Sequence, residues 1–161
     1  MGPCAWRCWT RSVIMSQSIL SRALRYNRPV IERLQVSSDS REQLKDITAE
    51  VNGALRRMRA GAGICQVFVP HTTAGVVVNE NADPAVCVDM LGWLDEVLPQ
   101  SHPFRHAEGN SPAHIKATLV GQSATLPVEG GRLALGTWQG VFLAEFDGPR
   151  QRTVVVNVVA G

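Results

Sequence analysis

No stretch of this 161-residue chain comes near the roughly 20 consecutive apolar residues that a bilayer-crossing helix needs, because charge interrupts the hydrophobic segments throughout. The sequence therefore predicts a soluble protein with no membrane partner. Cysteine is scarce and unpatterned. Cys4, Cys8, Cys65 and Cys87 make neither a CxxC pair nor the spacing of a secreted disulfide scaffold, and Cys65 and Cys87 lie in apolar segments where a reduced, buried thiol is usual. A reducing cytoplasm is the expected compartment. Acidic residues are missing from the first 31 positions, which hold Arg7, Arg11, Arg22, Arg25 and Arg28; the remainder has 11 Lys and Arg against 14 Asp and Glu. An acidic body without interleaved bases and aromatics is a poor nucleic-acid surface, so no nucleic-acid partner is expected. Also absent are GxxxxGK[ST], GxGxxG after a strand, and GxSxG, which removes phosphate-loop and nucleophile-elbow chemistry.

What is present suits one core. Residues 1–28 read as a basic N-terminal extension with a second methionine at Met15, and their Arg- and Ser-rich, acid-free composition is also that of a mitochondrial transit peptide. Residues 29–161 read as a single α+β domain. "PVIERLQVSS" is a weakly alternating first strand. Ile47, Val51, Ala54, Leu55 and Met58 recur at helical spacing after a capping Asp46. "ICQVFVP" and "AGVVVNE" are β-branched runs broken at "HTT". Asp83 and Pro84 open a second helix whose buried stripe is Val86, Met90, Trp93, Leu94 and Val97, and Pro99 stops it. "AHIKATLVG", "SATLPV", "RLALG", "WQGVFLAEF" and "QRTVVVNVV" then follow with short turns between them. That pattern predicts an antiparallel meander folded into two packed sheets, hence a β-sandwich core with two helices.

Chemistry concentrates in two stretches. "HAEGNSPAH" places His106 and His114 around Glu108 and Asn110, with turn formers that could fold one imidazole back on the other. Read as a strand, "AHIKATLVG" puts His114, Lys116 and Thr118 on a polar face and Ala113, Ile115, Ala117 and Leu119 in the core. His71, at a strand end in "HTT", adds a third imidazole. Three such nitrogens suffice for a zinc-type site with an open position, and Glu108 is the candidate catalytic proton shuttle. Surface or hydrogen-bonded histidines are the plainer reading. In "GTWQGVFLAEFDGPRQR", Trp138, Gly140, Phe142, Ala144 and Phe146 form an apolar face ending in a "DGPR" turn. Arg150 and Arg152 are candidate substrate-binding forks for phosphate or carboxylate, with Glu145 or Asp147 holding them, and Asn110 is a third substrate-binding candidate. A core strand and hairpin without a site is the alternative.

Together, "PHTTAGVVVNENADP", "HAEGNSPAHIKATLVG" and "LALGTWQGVFLAEFDGPRQR" resemble the signature blocks of the family named secondary thiamine-phosphate synthase enzymes, catalogued too as an uncharacterised protein family. The resemblance runs from about Asp46 to the carboxyl terminus. It implies a β-sandwich-centred α+β subunit in a homotrimer, a metal site at His71, His106 and His114, and transferase chemistry joining a pyrimidine diphosphate to a thiazole phosphate. Three imidazoles prefer zinc to the oxygen-bound divalent ion that a leaving pyrophosphate usually needs. Hydrolase or lyase chemistry on another small phosphorylated or carbonyl compound is therefore a second reading, and a non-catalytic trimeric metal or ligand binder a third.

Overall fold

The computed structural model describes residues 30–160, so the basic extension 1–28 lies outside the described residues. The chain runs β1 (Val30–Ser37), β2 (Gln43–Asp46), α1 (Thr48–Arg57), β3 (Gly63–Phe68), β4 (Ala74–Glu80), α2 (Pro84–Val97), α3 (Ser111–Val120), β5 (Ser123–Glu129), β6 (Arg132–Leu133), β7 (Gln139–Glu145) and β8 (Gln151–Ala160). Every strand pairing is antiparallel. One sheet has the order β1-β8-β3-β5-β6 and the other β2-β7-β4. The fold is the α+β class read from the sequence, with three helices among the described residues rather than two. It is not a meander: β7 and β8, consecutive in the chain, lie in different sheets.

Period-two burial explains the packing. Cys65 and Val67 of β3 and Val154, Val156 and Val158 of β8 point inward, while Ile64, Gln66, Phe68 and Val159 point out. The inward set meets Val76 of β4 and Val141 and Leu143 of β7 across the gap between sheets, and Val51, Ala54 and Leu55 of α1 complete this core. Each such side chain contributes about 1.5–3 kcal/mol of burial. The N-cap of α1 is Ile47 rather than Asp46, which stands one residue earlier and accepts through Oδ1 from Thr48 N–H at 2.8 Å. Gly130 and Gly131, both at positive φ, form the two-residue hairpin turn between β5 and β6.

A second, smaller core lies on the other face of the three-stranded sheet, where Leu94 of α2 and Ala113 and Ala117 of α3 pack on Ala144 and Phe146. β7 is thus covered on both sides, and the whole run Gly140–Phe146 is buried rather than one face of it. α2 contributes less than its sequence stripe promises: Leu94 is buried, but Trp93 and Val97 are exposed. The larger departure is α3. "AHIKATLVG" is helical, and its buried set is Pro112, Ala113, Lys116 and Ala117, spaced as one side of a helix. Close packing holds it there. A side-chain carbon on Gly75 would lie 2.4 Å from the Gly121 carbonyl oxygen at the end of α3, so only glycine lets β4 approach.

Candidate functional site

Three turns at one end of the two sheets supply the site. The β3–β4 turn carries His71, Thr72 and Thr73; the approach to α3 carries His106, Glu108 and Asn110, with His114 in the first helical turn; the β7–β8 turn carries Asp147 and Arg150, with Arg152 just inside β8. All of these except His106 line a polar pocket of about 300 Å³. Sequence reasoning had therefore singled out residues that the fold brings to one place, although it put His114 on the wrong element.

The pocket floor is an ion pair. Glu145, fully buried, accepts from Arg152 at 2.7 Å (Nε) and 2.5 Å (Nη2), from the Phe146 and Asp147 N–H groups at 3.0 and 2.9 Å, and from the Ser38 hydroxyl at 3.1 Å. Burial pushes this carboxyl up, but the Arg152 hydrogen bonds, the Asp147 N–H, the Arg152 charge and the Ser38 hydroxyl outweigh it, leaving the pKa below its ordinary value. Arg152 also donates to Thr73 Oγ1 at 2.8 Å. Arg152 thus holds the floor through Nε and Nη2, and it lines the pocket with Nη1 outside any hydrogen bond among the described residues. Arg150 differs in its exposure. It donates to the Asp147 carbonyl through Nε and to Asp147 Oδ2 through Nη2, while its half-exposed side chain leaves Nη1 without a partner among the described residues.

His71 is held from behind. Its Nε2 accepts from Thr153 N–H at 2.9 Å, which places the lone pair on Nε2 and the proton of the neutral ring on Nδ1. Burial, then the nearby Arg152 charge, keep the ring below its usual pKa against the Glu145 charge and a backbone hydrogen bond with Thr153, so it is neutral near pH 7. His71 thus presents a donor. A metal needs the opposite, a free lone pair, and the three-histidine metal site implied by the sequence does not fit this residue. His106 and His114 do come together, ring centroids 5.4 Å apart and nearly perpendicular, with Glu108 Oε2 3.8 Å from His106 Nε2. Among the described residues no three His, Cys, Asp or Glu side chains converge closely enough to hold a metal ion.

Asn110 is the residue whose environment sequence reasoning missed. It precedes α3, is nine-tenths buried and donates through Nδ2 to Asp147 Oδ2 at 3.1 Å, yet its Oδ1 is buried with no partner among the described residues. Such an orphan acceptor costs about 1–3 kcal/mol. Cys65 offers no competing nucleophile, since burial pushes its thiol up to about 11.

The family model described as UPF0047 protein YjbQ-like matches residues 32–161. The UPF0047 protein YugU of Bacillus subtilis is 47% identical over 131 residues, covering 81% of this chain and 99% of that protein. Among solved structures, the conserved hypothetical protein TT1486 of Thermus thermophilus is 49% identical with a TM-score of 0.75, covering 80% of this chain and 99% of that one. A YbjQ-like protein of unknown function from Sulfolobus solfataricus is 34% identical with a TM-score of 0.78, covering 83% and 99%. None of these names carries a reaction. They correct the resemblance drawn from the three sequence blocks: the blocks mark this UPF0047 group, and the thiamine-phosphate synthase and transferase activity attached to them has no support.

Proposed function

Because the chain belongs to the UPF0047 family of YjbQ-like proteins, whose relatives are named without a reaction, we propose its function from the pocket itself: an enzyme carrying out hydrolysis or elimination on a small phosphorylated or carbonyl compound. The orphan Asn110 Oδ1 carries this reading, because a buried acceptor at the wall of a polar pocket is satisfied by a ligand that donates to it. The His71 Nδ1–H and Arg150 Nη1 bind the ligand's oxygens. Glu108 moves the proton and, being exposed, exchanges it with water, while His114 positions the reacting group beside it. On p-nitrophenyl phosphate and p-nitrophenyl acetate, Glu108→Gln and His114→Ala should each lower turnover about 100-fold while the circular dichroism spectrum stays unchanged. Wild-type turnover in both variants, or no turnover by the native chain on either substrate, overturns the catalytic reading.

Zinc and a homotrimer belong to the same proposal. Two imidazoles, His106 and His114, are half of a tetrahedral set, and a metal there would polarise a bound oxygen. The outer face of the five-stranded sheet exposes Ile31, Ile64, Phe68 and Val159, an apolar face suited to association. The unpaired thiols Cys65 and Cys87 suit the cytoplasm. Elemental analysis with light scattering tests both: a trimer binding zinc, with metal lost in His106→Ala and His114→Ala but kept in His71→Ala. A monomer, or full metal content in all three variants, removes the corresponding part.

A further inference from the structure

The polar pocket has an apolar neighbour. Phe104, His106, Ser111, His114 and Ile115 line a second cavity of about 360 Å³, and His114 lines both. The two differ sharply in chemistry. On one side of His114 stand Asn110, the carboxylates of Glu108 and Asp147, and polar groups of His71, Thr72 and Arg150 without a partner among the described residues; on the other stand Phe104, Ile115 and the edge-to-face pair of imidazoles. Each cavity alone is at the small end for an organic ligand, typically about 300–1,000 Å³, whereas the two joined fall well inside it.

We propose that the ligand is bipartite: an oxyanion head, phosphate or carboxylate, in the polar pocket, joined beside His114 to an aryl or branched acyl group in the apolar one. The head is an oxyanion because His71 Nδ1–H and Arg150 Nη1 are donors without a partner among the described residues and the Thr72 hydroxyl can donate too, while of the two carboxylates on the same lining Asp147 is already paired with Arg150 and Glu108 is exposed to water. A protonated phosphate oxygen or a neighbouring hydroxyl then donates to Asn110 Oδ1, the acceptor left without a partner. The tail is apolar because Phe104 and Ile115 are half-buried at the cavity wall and belong to neither hydrophobic core. This inference rests on the pocket reading above and adds its substrate class. It also places the linking bond next to His114, the imidazole that the two cavities share.

Calorimetric titration of the full chain with inorganic phosphate, phenyl phosphate and benzoate tests it. Phenyl phosphate should bind roughly tenfold or more tightly than inorganic phosphate, because the ring leaves water for an apolar wall. Benzoate against phenyl phosphate tells which head is preferred. Ile115→Asp should abolish the gain from the ring and leave inorganic phosphate binding unchanged; Phe104→Ala, in the loop before α3 and outside both hydrophobic cores, should reduce the same gain. Equal affinity for phosphate and phenyl phosphate, or a gain that survives both substitutions, overturns the bipartite ligand. Failure of the underlying pocket reading looks different: Arg150→Ala would then leave all three affinities unchanged, or none of the three probes would bind.

Discussion

Lys116→Met should cost about 3–5 kcal/mol of stability, read as a lower urea midpoint with an unchanged slope. Lys116 is completely buried on α3, and its Nζ donates to both oxygens of Glu42, at 2.8 and 2.7 Å, and to Asp95 Oδ1 on α2. Methionine keeps the length and bulk of the stem, so the loss reports the charge alone. It strands Glu42, whose side chain is 16% exposed, as an uncompensated carboxylate. The effect is large because little else fastens this layer. The core under α2 and α3 is built from Leu94, Ala113 and Ala117 against Ala144 and Phe146, so one ammonium clamps both helices and the segment before β2. Lys116→Met with Glu42→Gln should recover much of the loss, since removing both charges is far milder than removing one. A single variant within 1 kcal/mol of the native protein would show that the clamp is not needed.

Arg152→Met should be about as damaging, again about 3–5 kcal/mol, because it leaves Glu145 charged at full burial. The same pair sets an acid limit. Glu145 has a folded pKa below its ordinary 4.5, so its contribution is fully present above pH 4.5 and is lost as pH falls through the folded value, where the unfolded chain binds the extra proton. Chemical denaturation at a series of pH values should therefore show stability falling below pH 4.5 in the native protein and falling less in Glu145→Gln. Parallel curves for the two proteins would assign the acid sensitivity elsewhere.

The two arginines show how far sequence could go. "DGPRQR" after a strand announced a turn with two guanidinium groups and nearby carboxylates, and the structure gives each its own: Arg150 to Asp147, Arg152 to Glu145. Which of them stays available depends on burial, a property of the second sheet and not of the local pattern. His106 and His114 meet because the turn-forming residues between them bend the chain, as their types indicate. The misreading of α3 has a physical source as well. Its helical stripe includes Lys116, and a lysine at a core position erases the 3.6-residue period, while Ile115 and Thr118 mimic strand alternation. The start signal was nevertheless present, since Pro112 sits in the first turn just as Pro84 does in α2. β2 was invisible: four half-buried or exposed residues that become a strand only because β7 offers an edge.

The three turns that face the pocket are spread over some 80 residues of chain, from His71 through Asn110 to Arg150, mounted on two sheets and a helix that touch only after the fold has closed. Whatever bridges His71, Asn110 and Arg150 therefore has no counterpart to bind in the open chain, and acts as a clasp across three separately anchored segments. By mass action, a ligand at a hundred times its dissociation constant adds about 2.7 kcal/mol to such a fold. A rise in melting temperature is then a direct reporter of occupancy, and the physiological ligand can be sought from its effect on the protein before any reaction is known.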